Sequence, residues 1–399
     1  MAENNDKNKD KSKKSADEDK VVNISDARGK AGLPRNRLVT GGVTFLIVAA
    51  AFLMFLYRDN FTADAIRSFF TGRQSPAQDV SPFTYESGTM QSFSLAGGGL
   101  AVASRTGLHL FDGKGETVAR QVFPMTMPAV ASSSVHSVFY DIGGTSMRVA
   151  DFTGRCQRLD PSNAIISVTM NDSGWFALTS EKQGYKGNIT VYNDELGEVY
   201  SWNCGTGYPL MARIAPDNQS MAVLTVDKSG GKITFLSFKS TDPTGSFLTP
   251  DELILDFSYL DTEHLCAISE ERIIFFDDAG EQKAQRSFED MYLTGYEISD
   301  SSFVTLHLSR YLSGNQGDII TLDQEGNELG YLEIYRDLMT LSSYGRNLSV
   351  LYSDGLVLYN QQLEVISESE DAVGIQKALL RDNNEALILS TYAAEVHRF

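Results

Sequence analysis

The side chains able to carry chemistry are five histidines, three cysteines and 52 carboxylates in a chain of 399 residues. His109, His136, His264, His307 and His397 stand 27, 128, 43 and 90 residues apart, whereas a metal site legible in sequence has its donors paired a few residues apart. No metal or other cofactor is therefore expected. A bridge between Cys156 and Cys204 would need Cα atoms within about 7 Å; the reading favours a free thiol at each, and Cys266, in the apolar run LCAI, reads as a small buried hydrophobe. The stretch Asp141-Ile142-Gly143-Gly144-Thr145 lacks the lysine and the strand-to-helix setting of a phosphate loop and reads as a strand turn. No nucleophile elbow with a partner histidine and no dinucleotide fingerprint is present. Abundant carboxylates leave an acid–base pair open, but most of them sit in turns, where turn formation accounts for them.

Aromatic residues in loops offer a different chemistry, that of recognition. Tyr185, Trp202, Tyr208 and Tyr311 stand in or beside the segments 181–188, 203–211, 239–251 and 309–318, which read as long loops opposite the acidic turns. Apolar area with a polar tip is the composition favoured in interface anchors, so these four are the candidate partner surface.

The elements that must position them repeat. A strand, a polar turn and a second strand recur as GLHLFDGKGETV from Gly107, MRVADFTGRCQRL from Met147, ITVYNDELGEVY from Ile189, RIIFFDDAGEQKA from Arg272, DIITLDQEGNELG from Asp318 and GLVLYNQQLEVI from Gly355. A second hairpin alternates with it around Asp172, Asp217, Asp261, Asp300 and Asp382. Two hairpins make four antiparallel strands. Innermost strands near Gln91, Pro128, Asn163, Leu210, Leu253, Thr294, Thr340 and Gly374 give a period of about 40 residues, the spacing of propeller blades. A sheet with an apolar face cannot bury it alone, and a ring of such sheets can. The expected fold is an all-β, eight-bladed β-propeller over 80–399, with seven blades as the alternative because boundaries between 239 and 253 are open. The last unit ends short of its outermost strand, which PFTYES at 82–87 is placed to supply.

Ahead of the propeller, 38–57 is twenty residues without a charge, enough for a single transmembrane helix through about 30 Å of bilayer. It runs on past Ala49-Ala50-Ala51, beyond the length of a cleaved signal, so it is expected to stay as an anchor. Residues 1–37 carry ten Lys/Arg against seven Asp/Glu, while 58–399 carry 24 against 45. The positive flank places a disordered tail, 1–37, in the cytoplasm and the acidic portion outside, with 58–79 as a juxtamembrane helix and linker. A net charge of −18 excludes nucleic acid held through its phosphates.

Three stretches carry a resemblance: NFTADAIRSFF after the apolar run, YDIGGTSMRV at 140–149 and SGWFALTSEKQGYKGNITVY at 173–192. They resemble an uncharacterised domain-of-unknown-function family of single-pass, membrane-anchored proteins from Gram-positive anaerobes. The chain departs where that family carries Gly-x-Gly-Phe-Pro after the juxtamembrane helix and this sequence has Thr71-Gly72-Arg73-Gln74-Ser75-Pro76. The resemblance implies the topology above and no activity.

Together these readings describe a membrane-anchored extracytoplasmic propeller that binds or scaffolds a protein or a cell-envelope polymer. The alternative is a propeller enzyme acting on an envelope glycan. Protease added to intact cells with a permeabilised wall is expected to degrade 80–399; survival of that region until the cells are lysed would overturn the placement.

Overall fold

A computed structural model describes residues 81–88, 90–299, 303–311, 316–370 and 374–399. The tail, the apolar run 38–57 and the juxtamembrane segment lie outside the described residues, among which no helix is long and apolar enough to cross a membrane. The described chain forms eight four-stranded antiparallel sheets, the blades of a β-propeller. With strands lettered a to d from the axis outward, the eight a strands are Gln91–Ala96, Pro128–Ser132, Ile165–Met170, Tyr208–Ile214, Ile254–Tyr259, Tyr292–Ile298, Leu338–Tyr344 and Lys377–Asp382. The expected spacing and the count of eight both hold.

The c–d turns show how local chemistry writes the repeat. Asp112, Asp151, Asp277, Asp323 and Asn360 each accept, through Oδ1, the amides of the residues two and four positions on, and Asn193 accepts the amide four on. The residue three positions on takes a positive φ in every case: Gly115, Gly154, Gly280 and Gly326, but Leu196 (66°) and Leu363 (61°) in blades 3 and 7. Glycine adopts that conformation freely and leucine does so at a cost, offset here by packing, since Leu363 is buried in the core between blades 6 and 7.

Each blade buries its faces against its neighbours. Separate apolar clusters fill the seams between blades 1 and 2, 2 and 3, 3 and 4, 4 and 5, 5 and 6, and 6 and 7. Another unites Leu379, Leu387 and Leu389 of blade 8 with Leu100, Val102 and Phe111 of blade 1 through Phe83 and Tyr85. Phe83–Thr84 pairs with Ala393–Ala394 as the outermost strand of blade 8, as expected of PFTYES. Tyr85 secures it, its hydroxyl donating to the carbonyls of Ser390 (2.7 Å) and Ala393 (2.8 Å).

Antiparallel pairing sends the a–b and c–d turns to one end of the ring and the b–c turns and d–a linkers to the other. One expectation is corrected by this. Segment 239–251 is no loop of the b–c end: Pro243–Pro250 is the d strand of blade 4, paired with Gly230–Ser237, Lys239–Asp242 belongs to the turn at the opposite end, and Asp251 alone turns at the b–c end. The Gly143-Gly144 turn is a b–c turn whose backbone is spent on the next blade, Gly143 donating to the Ile165 carbonyl and Ile165 to that of Gly144 (2.8 Å each).

Phe83 is fully buried, so Phe83→Ala should cost about 3–5 kcal/mol and open the seam of the ring. Chemical denaturation of the full chain checks this; a loss under 1 kcal/mol would mean that the strand does not close the ring.

Candidate partner-recognition surface

The four aromatic candidates divide. Tyr185 stands in the b–c turn of blade 3, its backbone amide bonded to Lys182, and is 51% exposed. The next residue, Lys186, reaches across to blade 4, where its Nζ donates to the Tyr208 hydroxyl (3.2 Å) and sits 4.5 Å from the centre of that ring. Tyr185 and Tyr208 are therefore joined through one lysine, and Tyr208 gives a face of its ring to that contact. Trp202 lies on the d strand of blade 3 opposite Ile189 and packs against the core between blades 3 and 4 with Trp175 and Phe238. Tyr311 is 63% exposed on blade 6, beyond Ser309, whose hydroxyl donates to the Tyr311 carbonyl (2.8 Å). The b–c end thus displays Tyr185 and Tyr311, three blades apart.

Blade 6 carries further tyrosines that sequence reading passed over. Tyr331 and Tyr335 are 50% and 64% exposed, on and just after its d strand. The Tyr335 hydroxyl donates to Glu333 (2.8 Å), and Arg310 stands 3.6 Å from the same carboxylate. That hydrogen bond, with a smaller contribution from burial, raises the Tyr335 hydroxyl above the usual phenol range. The alternation of Tyr331 and Glu333 on an edge strand, with Tyr335 just past its end, was the available signal, because period two puts the first two on one face.

The axis holds a different set. Arg213 of blade 4 pairs with Asp256 of blade 5 at 3.0 Å, and the Tyr296 hydroxyl of blade 6 donates to the same carboxylate (3.4 Å). Glu297 of blade 6 accepts from the amide (3.1 Å) and hydroxyl (3.2 Å) of Ser343 in blade 7. Burial holds Lys377 of blade 8 below the usual lysine range, with the Glu297 charge opposing the shift. An acid–base pair would need two carboxylates converging on one opening. Here each joins one a strand to the next, so the carboxylates act as ties.

The thiols and histidines follow the same logic. Cys156, Cys204 and Cys266 are free. Cys156 begins the d strand of blade 2 and Cys204 ends that of blade 3, at opposite ends of the ring. Cys266 is buried, which pushes its thiol up to about 12. His109 bonds Thr117 (2.8 Å) and His307 bonds Thr294 (2.9 Å) inside their sheets, and burial brings both down to about 4. Among the described residues no three His, Cys, Asp or Glu side chains gather as metal ligands.

Fold and surface define an eight-bladed propeller that exposes Tyr185 and Tyr311 on the b–c end. Within that class, the chain belongs to the DUF5711 family, a family of unknown function, whose model matches residues 78–361. No curated protein matches the chain. Among solved structures it is similar to BamB from Moraxella catarrhalis, at 15% identity and a TM-score of 0.53 over 81% of this chain and 99% of that one. The C-terminal WD40 domain of Sif2 gives 12%, 0.56, 81% and 98%, and the Dos1 propeller 12%, 0.55, 80% and 94%. Likeness at such identities concerns the fold.

The buried histidines predict an acid dependence. The unfolded chain takes up protons near pH 6.5 while folded His307 stays neutral to about 4, so its contribution is intact above 6.5 and falls as pH drops toward 4. The loss should approach about 3 kcal/mol for this residue. Denaturation midpoints between pH 7 and 4 should fall less steeply in His307→Gln; an unchanged slope would contradict the assignment.

Proposed function

We propose that the protein is a membrane-anchored, extracytoplasmic binding or scaffolding module whose b–c end engages a protein or a cell-envelope polymer. The observation that carries this reading is the exposure of Tyr185 and Tyr311 on that end, while Arg213, Asp256 and Glu297 on the a strands are engaged by neighbouring blades. Exposed tyrosines supply contact area at little entropic cost and are typical anchors of recognition surfaces. The apolar run 38–57 and its basic N-terminal flank support anchoring in the lipid bilayer with the propeller outside. Trp202 and Tyr208 then belong to the support of this surface, one in the core and one under Lys186.

Mild crosslinking of the full-length chain in its native membranes, followed by affinity purification and mass spectrometry, tests the reading. Replacing Tyr185 and Tyr311 with Ala should reduce partner capture at least several-fold without moving the melting transition. Capture unchanged in the double variant would remove the b–c end from the recognition surface.

A further inference from the structure

The seam between blades 5 and 6 holds a cavity of about 430 Å³ near the b–c end. The face of blade 6 turned to blade 5 is built of cross-strand rows: Leu306, Ile320 and Tyr331 form one, and Leu308, Asp318 and Glu333 form the next. The leucines and Ile320 share an apolar cluster with Phe275 and Phe288 of blade 5. Asp318 interrupts this packing. It is 6% exposed, it lines the cavity, and its Oδ1 is buried without a hydrogen-bond partner among the described residues.

Neighbouring charges do not relieve it. Glu333, directly opposite in the row, is a second carboxylate, and like charges across a strand pair are destabilising. Glu333 has Arg310 and the Tyr335 hydroxyl. Arg286, on the cavity wall, is committed to Glu328 at 2.7 Å. A buried carboxylate oxygen with no donor is costly, and the cost is recovered when a cation or N–H donor arrives. The other walls narrow the choice of ligand. Ser287 and Glu289 add oxygens at the wall, but no three His, Cys, Asp or Glu side chains gather there as metal ligands among the described residues, while Phe288, Met291, Leu308 and Ile320 suit a hydrocarbon stem and Tyr331 adds a half-exposed aromatic ring. Burial, together with the neighbouring Asp318 carboxylate, raises the Tyr331 hydroxyl above the usual phenol range, so the ring stands beside the site uncharged.

We infer that this cavity binds a protonated alkylamine, with the ammonium on Asp318 Oδ1 and the stem against Phe288, Met291 and Leu308. The ligand is a free amine or a lysine side chain of a partner; the latter rests on the recognition reading above, since Tyr311 and Tyr335 lie on the same blade.

Calorimetric titration of the full-length chain in nonionic detergent tests it with three probes: n-butylammonium, the blocked tripeptide Ala-Lys-Ala, and the same peptide with norleucine in place of lysine. At least one amine should bind and the norleucine peptide should not. Asp318→Asn should weaken binding at least tenfold, and Glu325→Gln, in the c–d turn at the opposite end, should leave it unchanged. Should Asp318→Asn alter the melting transition, Tyr331→Leu serves instead, with an expected loss of about threefold or more. Binding of butylammonium as well as the peptide assigns the ammonium itself as the ligand; binding of the peptide alone assigns a protein side chain. Absence of binding by both amines, equal binding of the norleucine peptide, or wild-type affinity in the folded variants would overturn the inference. No partner capture enters this experiment, so its failure leaves the result for Tyr185 and Tyr311 standing.

Discussion

Apolar packing between neighbouring blades is the interaction on which everything else depends. A four-stranded sheet with two apolar faces has no stable existence in water alone, and each blade here satisfies one face with the blade before it and the other with the blade after. Such a chain of dependencies has no natural end, so it must close on itself, and Phe83 and Tyr85 make that closure by adding an early strand to the last sheet. The ties along the axis, Arg213 to Asp256 and Glu297 to Ser343, are polar supplements to the same contact between adjacent blades.

Much of this architecture was legible because it is written in local chemistry. An Asp or Asn that caps its own turn, followed three residues later by Gly, is a short-range device, and its recurrence at Asp112, Asp151, Asp277 and Asp323 writes the repeat into the sequence without recourse to tertiary contacts. Blade 4 lacks the device. Its c–d turn spans Phe238–Asp242 and carries neither an Asp at its start nor a Gly within it, and the d strand behind it, PTGSFLTP, passed for a loop because Pro and Gly sit within it. The two prolines are tolerated because the strand is outermost and one backbone edge needs no partner.

The candidate partner surface was legible only in part, and the reason is physical. Loop position identified Tyr185 and Tyr311, whose exposure depends on local chain geometry. Trp202 faces inward through the pleat of its strand, and Tyr208 lies under a lysine from another blade; neither fact can be read without knowing which blades adjoin. The same holds for Asp318. In sequence it is one more acid at a strand start, and its isolation appears only when Phe288 of the preceding blade is set against it.

The closing strand also imposes an order on biosynthesis. Tyr85 and the Ala393 carbonyl it bonds are 308 residues apart, so the first of the described strands waits for nearly the whole domain before it finds its place. The blades form from hairpins and can appear in turn, but until blade 8 is made the nascent arc keeps one apolar flank on blade 1 and another on its most recent blade uncovered. A chain interrupted at any point short of the last strands would retain both flanks. Chaperones and proteases would meet it as a sticky crescent, and the closed ring as a finished product.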